Sequence, residues 1–295
     1  MKRFIILFSL FSLILLSCSP VKDGYVAVCG GNEVKIIDMD NSDGRDIREV
    51  WSWKTDDPES GLPGKYAGYL TPLDECKFVD GNTKLLLTSS KCAVVLLDIK
   101  SRKALFHAKV PMAHSAEMLP GGRVAVALST HKKGNALEIY DVRHPEKVLY
   151  RDTLYSGHGV LWNEKRQSLY ALGHSELREY KLKDWETATP SLDRVSTWKL
   201  PVYSGHDLSL VDQDSFLISG KEGVVWFYPE SGTFAPYEPL KDLQNIKSVN
   251  YRKSDGRLLY TVAEERWWTH NVYQKNPDRM ITIDSMKIYK VRPVW

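Results

Sequence analysis

Residues 155–162 read YSGHGVLW, and forty-eight residues further on residues 203–210 read YSGHDLSL. In both copies a histidine stands directly before an apolar run. A tetrapeptide that returns with its context is a mark of a repeated structural unit. The rest of the chain bears this out. Phrases of three apolar or aromatic residues closing on a polar one occur at 34–39 (VKIIDM), 94–99 (VVLLDI), 137–142 (LEIYDV), 177–182 (LREYKL), 225–230 (VWFYPE) and 286–291 (MKIYKV). Each follows a second β-rich phrase such as YVAVCG, KLLLTSS or SFLISG. Short β-rich segments divided by Gly, Asn and Asp read as strands of an all-β protein. A unit of 40–48 residues with several strands is the signature of a β-propeller blade. Six units predict a single six-bladed β-propeller over residues 22–295, in preference to five or seven blades. Two wider intervals are read as insertions, 55–73 and 264–280. The first unit shows no innermost strand and the last no outermost one, so the way the ring closes stays open.

The chain has 295 residues, 43% hydrophobic and 26% charged, which is ordinary for a globular protein. Its N-terminus reads differently. Lys2-Arg3, an apolar run over 4–16 and then Leu15-Leu16-Ser17-Cys18 have the layout of a secretory leader. The run is too short for a comfortable membrane span. The expected organisation is a leader over 1–17, a lipidated tether over 18–21 with Cys18 as the modified residue, and the propeller. That places the protein in the cell envelope, anchored to a membrane by lipid. Losing Lys2 and Arg3 lowers the formal net charge from +3 to +1, and no basic block remains. Export and near-neutral charge both argue against a nucleic-acid partner. The odd set Cys29, Cys76 and Cys92 lies in apolar runs and reads as thiols rather than a disulfide framework.

Aligning the units explains the tetrapeptide. The innermost strands are expected to begin at Asp74, His114, His158, His206 and Lys247, spaced by 40, 44, 48 and 41 residues. Equivalent positions on successive blades form a ring around the propeller axis. Three imidazoles, a carboxylate and an amine would then meet at one mouth of the central channel. Three neutral imidazoles facing an open centre suit Mn, Zn, Fe or Ni, with His114, His158 and His206 as ligands. Two other readings stay open: a metal-free site using the same histidines as acid, base or anion binder, and a scaffold role. In WD-type propellers a Gly-His histidine braces the blade against an Asp closing the third strand. Here the blades with Gly157-His158 and Gly205-His206 close on Lys181 and Pro229 instead.

Turns between second and third strands should share that mouth. They carry Lys91, His131, Lys221 and His174, and the insertion contributes Arg266, Trp267, Trp268 and His270. In a chain of near-zero net charge this collection favours an anionic ligand, and adjacent tryptophans in an irregular loop suit stacking on sugar rings. No Gly-x-Ser-x-Gly, phosphate-binding loop, His-Glu-x-x-His or dinucleotide fingerprint is present.

The leader, the six repeats and the histidine ring together resemble the exported propeller lipoproteins of gut-type Gram-negative bacteria, several of which act in glycan use. The ring is also similar to that of oligogalacturonate lyases, propellers that hold a divalent metal with three histidines and a glutamine. His114, His158 and His206 match the histidine part; no glutamine stands in the ring, and Asp74 and Lys247 flank the trio. The resemblance implies a metal-dependent lyase or hydrolase acting on an acidic oligosaccharide. Lys247 is then the first candidate base, with His174 and His270 as alternatives. Lys91, His131, Lys221, Arg266, Trp267, Trp268 and Asp74 would bind substrate. The alternative is a non-catalytic glycan-binding or scaffold lipoprotein with protein partners in an envelope complex.

Overall fold

Each repeat forms a four-stranded antiparallel sheet, and six such sheets make the ring of a six-bladed propeller. The structure, a computed structural model, describes residues 21–295. The expected leader, Cys18 and most of the tether lie outside the described residues. Among the described residues no helix is long and apolar enough to cross a membrane.

The middle strands of each blade are covered on both faces by neighbouring blades. They therefore read as continuous apolar runs rather than as alternation. Lys84–Ser89 and Arg123–Leu128 are buried along almost their whole lengths, whereas the outermost strand Val148–Thr153 is largely exposed. Six apolar clusters result, one between each pair of adjacent blades. Leu85, Leu87 and Val95 of the second blade meet Ala27, Val34 and Trp53 of the first. Leu161 and Tyr170 of the fourth meet Leu208 and Phe216 of the fifth. Each such side chain contributes roughly 1.5–3 kcal/mol on burial, so every interface, the closing one included, is a substantial share of the stability.

Closure corrects the sequence reading of the last repeat. The phrase at 286–291 is not the third strand of the sixth blade. That strand is Asn271–Lys275, inside the segment read as an insertion, and Arg279–Thr282 follows it as the outermost strand. The chain then returns to the first blade. Lys290–Pro293 pairs antiparallel with Tyr25–Gly30, Val26 facing Pro293 and Cys29 facing Lys290. The C-terminus thus supplies the innermost strand that the first repeat lacks. The other insertion, 55–73, holds a single helical turn, Lys65–Tyr69, whose buried Tyr66 joins the cluster between the first two blades. Cys29 and Cys76 are free and buried, while Cys92 is partly exposed.

The closing strand also plugs the channel. Arg292 donates through Nε and Nη2 to Glu75 (2.7 and 2.8 Å) and through Nη1 and Nη2 to Asp207 (2.8 and 2.6 Å). Lys290 donates to the same two carboxylates, at 3.2 and 3.0 Å. Glu75 belongs to the second blade and Asp207 to the fifth, so the first blade's inner strand ties together distant parts of the ring. All four side chains are buried. Arg292 and Lys290 together hold the Glu75 carboxyl down at about 2 despite its burial.

Candidate functional site at the wide mouth

The innermost strands are Glu75–Val79, Ala113–Leu119, Gly159–Asn163, Asp207–Asp212, Ile246–Tyr251 and Lys290–Pro293. Asp74, His158, His206 and Tyr289 stand immediately before four of them. The N–H of each donates to a carbonyl near the end of the second strand in its own sheet: Thr88, Leu172, Ser219 and Cys29. His114 and Lys247 are the second residues of the other two strands. There the ladder shifts register, between Ala113 and Ser115 and between Ile246 and Ser248, which takes both residues out of the pairing and into the equivalent place. The ring is therefore Asp74, His114, His158, His206, Lys247 and Tyr289. All six line one cavity of about 650 Å³.

The YSGH tetrapeptide is the connector between blades. Ser156 and Ser204 have positive φ (48° and 55°), which turns the chain sharply toward the axis. Gly205 follows because a Cβ there would come within 2.9 Å of the Gly173 carbonyl and the Leu172 side chain of the preceding blade. The tyrosine is left on the rim and the histidine is delivered into the mouth. Tyr155 and Tyr203 are 59% and 55% exposed. The His174 ring stands between them, edge-on, at 5.5 and 4.8 Å. Trp267 is 59% exposed. Trp268 is half-buried, its ring against that of Tyr289 at 5.4 Å. Among the described residues, the three most exposed large apolar side chains all line this one cavity.

The floor is polar. His114 and His158 are adjacent, with ring centroids 4.5 Å apart, and His206 lies 5.7 Å beyond His158. The Nδ1 atoms of His114 and His158 stand 3.1 and 2.8 Å from the carbonyls of Met112 and Ser156. A carbonyl accepts only, so both rings carry their proton on Nδ1 and present Nε2 as an acceptor. Burial holds all three imidazoles neutral: His114 is pulled down to about 4, His206 to about 3 with Lys247 adding to the effect, and His158 well below its ordinary value. The Lys247 amine lies 3.1 Å from His206 Nε2 and 4.9 Å from the centre of the Trp267 ring. Among the described residues it makes no ion pair. Burial, and after it the charge of Lys290, draw Lys247 down to about 8. Burial pushes the Asp74 carboxyl up to about 7, although it accepts the Ser90 N–H.

This donor set does not fit the expected three-histidine metal site. The Nε2 of His206 is engaged by an amine, and no three His, Cys, Asp or Glu side chains among the described residues are placed to hold one metal ion. What the arrangement can do with its own groups is move protons. It holds an amine that is neutral in part near neutral pH, an imidazole against it, and a carboxyl that is protonated in part.

Of the expected substrate-binding residues, Asp74, Lys221, Trp267 and Trp268 line the cavity, as does His174. Lys91, His131, Arg266 and His270 do not. Adjacent strands lie about 4.8 Å apart, so hairpin tips between second and third strands sit outside the inner ring. Lys91 and His131 are exposed at such tips, and His131 Nδ1 accepts the Lys133 N–H. Arg266 occupies the positive-φ corner of a tight turn and is exposed. His270 Nδ1 meets the Ile283 carbonyl at 3.2 Å and its Nε2 lies 3.9 Å from Glu265. Sequence reasoning missed Tyr155, Tyr203 and Tyr289. The first two open the very tetrapeptide that was noticed. Tyr289 was hidden because its phrase read as a third strand.

Residues 24–295 match a family of unknown function, DUF6528. No curated protein matches the sequence. Among solved structures, the chain is similar to that of a protein of unknown function from Bacteroides caccae. The match has a TM-score of 0.60 and 14% identity over 92% of this chain and 99% of that one. The similarity supports the fold alone.

Proposed function

The chain belongs to this family of unknown function, and from the geometry of the wide mouth we propose that it binds an acidic saccharide there and performs acid–base chemistry on it. The observation that carries this reading is the convergence of Tyr155, Tyr203 and Trp267, exposed, around a floor of neutral imidazoles and the Lys247 amine that meets one of them. Aromatic faces stack on the apolar faces of sugar rings, and the polar floor suits their hydroxyls. Lys221 on the rim supplies a cation for a sugar carboxylate. The envelope location expected from the Leu15-Leu16-Ser17-Cys18 leader is compatible with such a ligand.

The chemistry most direct for these groups is eliminative cleavage of a uronate. The neutral Lys247 amine takes the proton on the carbon beside the carboxylate. The electron pair of that C–H bond forms a C=C bond, the glycosidic C–O bond breaks, and the departing oxygen takes the proton of Asp74. His206, against the amine, orients it. Each group is already held near the protonation state its task requires.

Binding is tested by calorimetry of the mature protein against a panel of uronate-containing and neutral oligosaccharides. Trp267→Ala is expected to weaken binding by about 1–2 kcal/mol, roughly five- to thirtyfold, with Tyr155→Ala and Tyr203→Ala each producing a smaller loss. If no saccharide binds, or if Trp267→Ala binds as the parent does, the reading is wrong. Binding without any product, seen as the absence of an unsaturated uronate by ultraviolet absorbance, would instead favour a non-catalytic glycan-binding propeller.

A further inference from the structure

We infer that Lys247 is a carbonyl-reactive amine, able to condense with the aldehyde or ketone group of a small acid held in the wide mouth. The inference does not depend on the ligand being a saccharide. It rests on how differently the ring's neighbouring lysines are held. Lys290 follows Tyr289 on the closing strand, and two buried carboxylates grip it at 3.0 and 3.2 Å. Lys247 is equally buried, at 2% exposure, yet among the described residues it has no carboxylate partner. Its contacts are an imidazole nitrogen at 3.1 Å and the face of Trp267. An ion-paired lysine keeps its proton and serves structure. A lysine held by an imidazole at a cavity wall can release its proton and offer its lone pair.

The surroundings suit the remaining steps. The nitrogen lone pair adds to the carbonyl carbon, the C=O π pair moves to oxygen, and the amine proton passes to His206 Nε2. Asp74 protonates the alkoxide to give the carbinolamine hydroxyl, which leaves as water with the proton of the His206 imidazolium while the nitrogen lone pair forms the C=N bond, and the remaining N–H proton returns to the Asp74 carboxylate. The product is an imine, with one water released and no oxidant or reductant consumed. Trp267 roofs the amine at 4.9 Å and limits the return of water that would hydrolyse the imine. His206 Nδ1 is buried without a partner. The ring can therefore turn and hand on a proton without giving up another hydrogen bond on that side.

The test uses glyoxylate, a two-carbon aldehyde acid, on the mature protein with sodium cyanoborohydride present. The hydride reduces only an imine and so leaves a carboxymethyl group on the lysine that formed it. Tryptic peptides are then quantified by mass spectrometry. Lys247 is expected to label at least about tenfold faster than the exposed Lys132 and Lys133, as an activated amine should. His206→Gln is expected to slow labelling of Lys247 while leaving Lys132 and Lys133 unchanged, those two serving as a check that the fold and the reagent are intact. Labelling of Lys247 no faster than that of Lys132 and Lys133 in the parent protein overturns the inference. Because the probe is not a saccharide, failure of the saccharide reading does not alter this result, nor the reverse.

Discussion

Arg292→Met is expected to lower the free energy of unfolding by about 3–5 kcal/mol, the usual effect of removing one partner from a buried charge cluster. Methionine keeps much of the volume. What is lost is the guanidinium that grips Glu75 of the second blade and Asp207 of the fifth. Two buried carboxylates would be left with Lys290 as their only cation in the cluster. The matched surface control is Lys287→Ala. Its partner Glu265 is more than half exposed, so it should change stability by no more than about 1 kcal/mol. Urea unfolding followed by tryptophan fluorescence reads both. A change under about 1 kcal/mol for Arg292→Met would mean that the cluster does not hold the ring closed.

The same cluster sets the acid limit. The Glu75 carboxyl is depressed to about 2 in the folded state. Its contribution is present in full above the ordinary glutamate range near 4.5 and is lost as pH falls toward 2. The ring histidines act at higher pH. His114 is depressed to about 4, so between about 6.5 and 4 the unfolded chain binds a proton that the folded one refuses. Stability should therefore fall in two stages on acidification, first with the imidazoles and then with the carboxylates. Arg292→Met should weaken the second stage and leave the first. Equal sensitivity of both stages to that substitution would contradict this assignment.

Lys247→Met is expected to reduce kcat/KM by about 10²–10⁴ on any acidic oligosaccharide that the mature protein cleaves, the range typical for loss of a general acid or base. Saccharide binding should be much less affected, since Tyr155, Tyr203 and Trp267 remain in place. In the parent, kcat/KM should follow a bell with its maximum between about 7 and 8, rising as the Lys247 amine loses its proton and falling as the Asp74 carboxyl loses its own. Activity within fivefold of the parent, or a profile with no rising limb, would remove Lys247 from the chemistry. His206→Gln should shift the maximum of the profile, because His206 is the amine's hydrogen-bond partner and acts through it.

Much of this architecture can be read in the amino-acid order. Six β-rich repeats, the apolar third and fifth positions of the inner strands, and five of the six ring residues follow from local patterning. Strand pairing within a blade joins neighbouring segments, and each blade must bury the same faces, so each repeat writes the same signals. Asp74, His114, His158, His206 and Lys247 could be aligned for that reason. The closing strand could not. Val26 and Pro293 pair across almost the whole chain, and nothing local to 286–293 tells an inner strand of the first blade from a third strand of the sixth. That long-range pairing alone placed Tyr289 in the ring and Arg292 against Glu75 and Asp207. Radial position was likewise a matter of tertiary structure. Lys91, His131 and Lys221 look alike in sequence as polar hairpin turns, yet only Lys221 reaches the cavity. The state of the imidazoles was also decided in three dimensions. Their sequence spacing brings three histidines to one mouth, but burial and the Lys247 amine against His206 determine that they meet there as neutral rings beside an amine rather than as a set arranged around one ion.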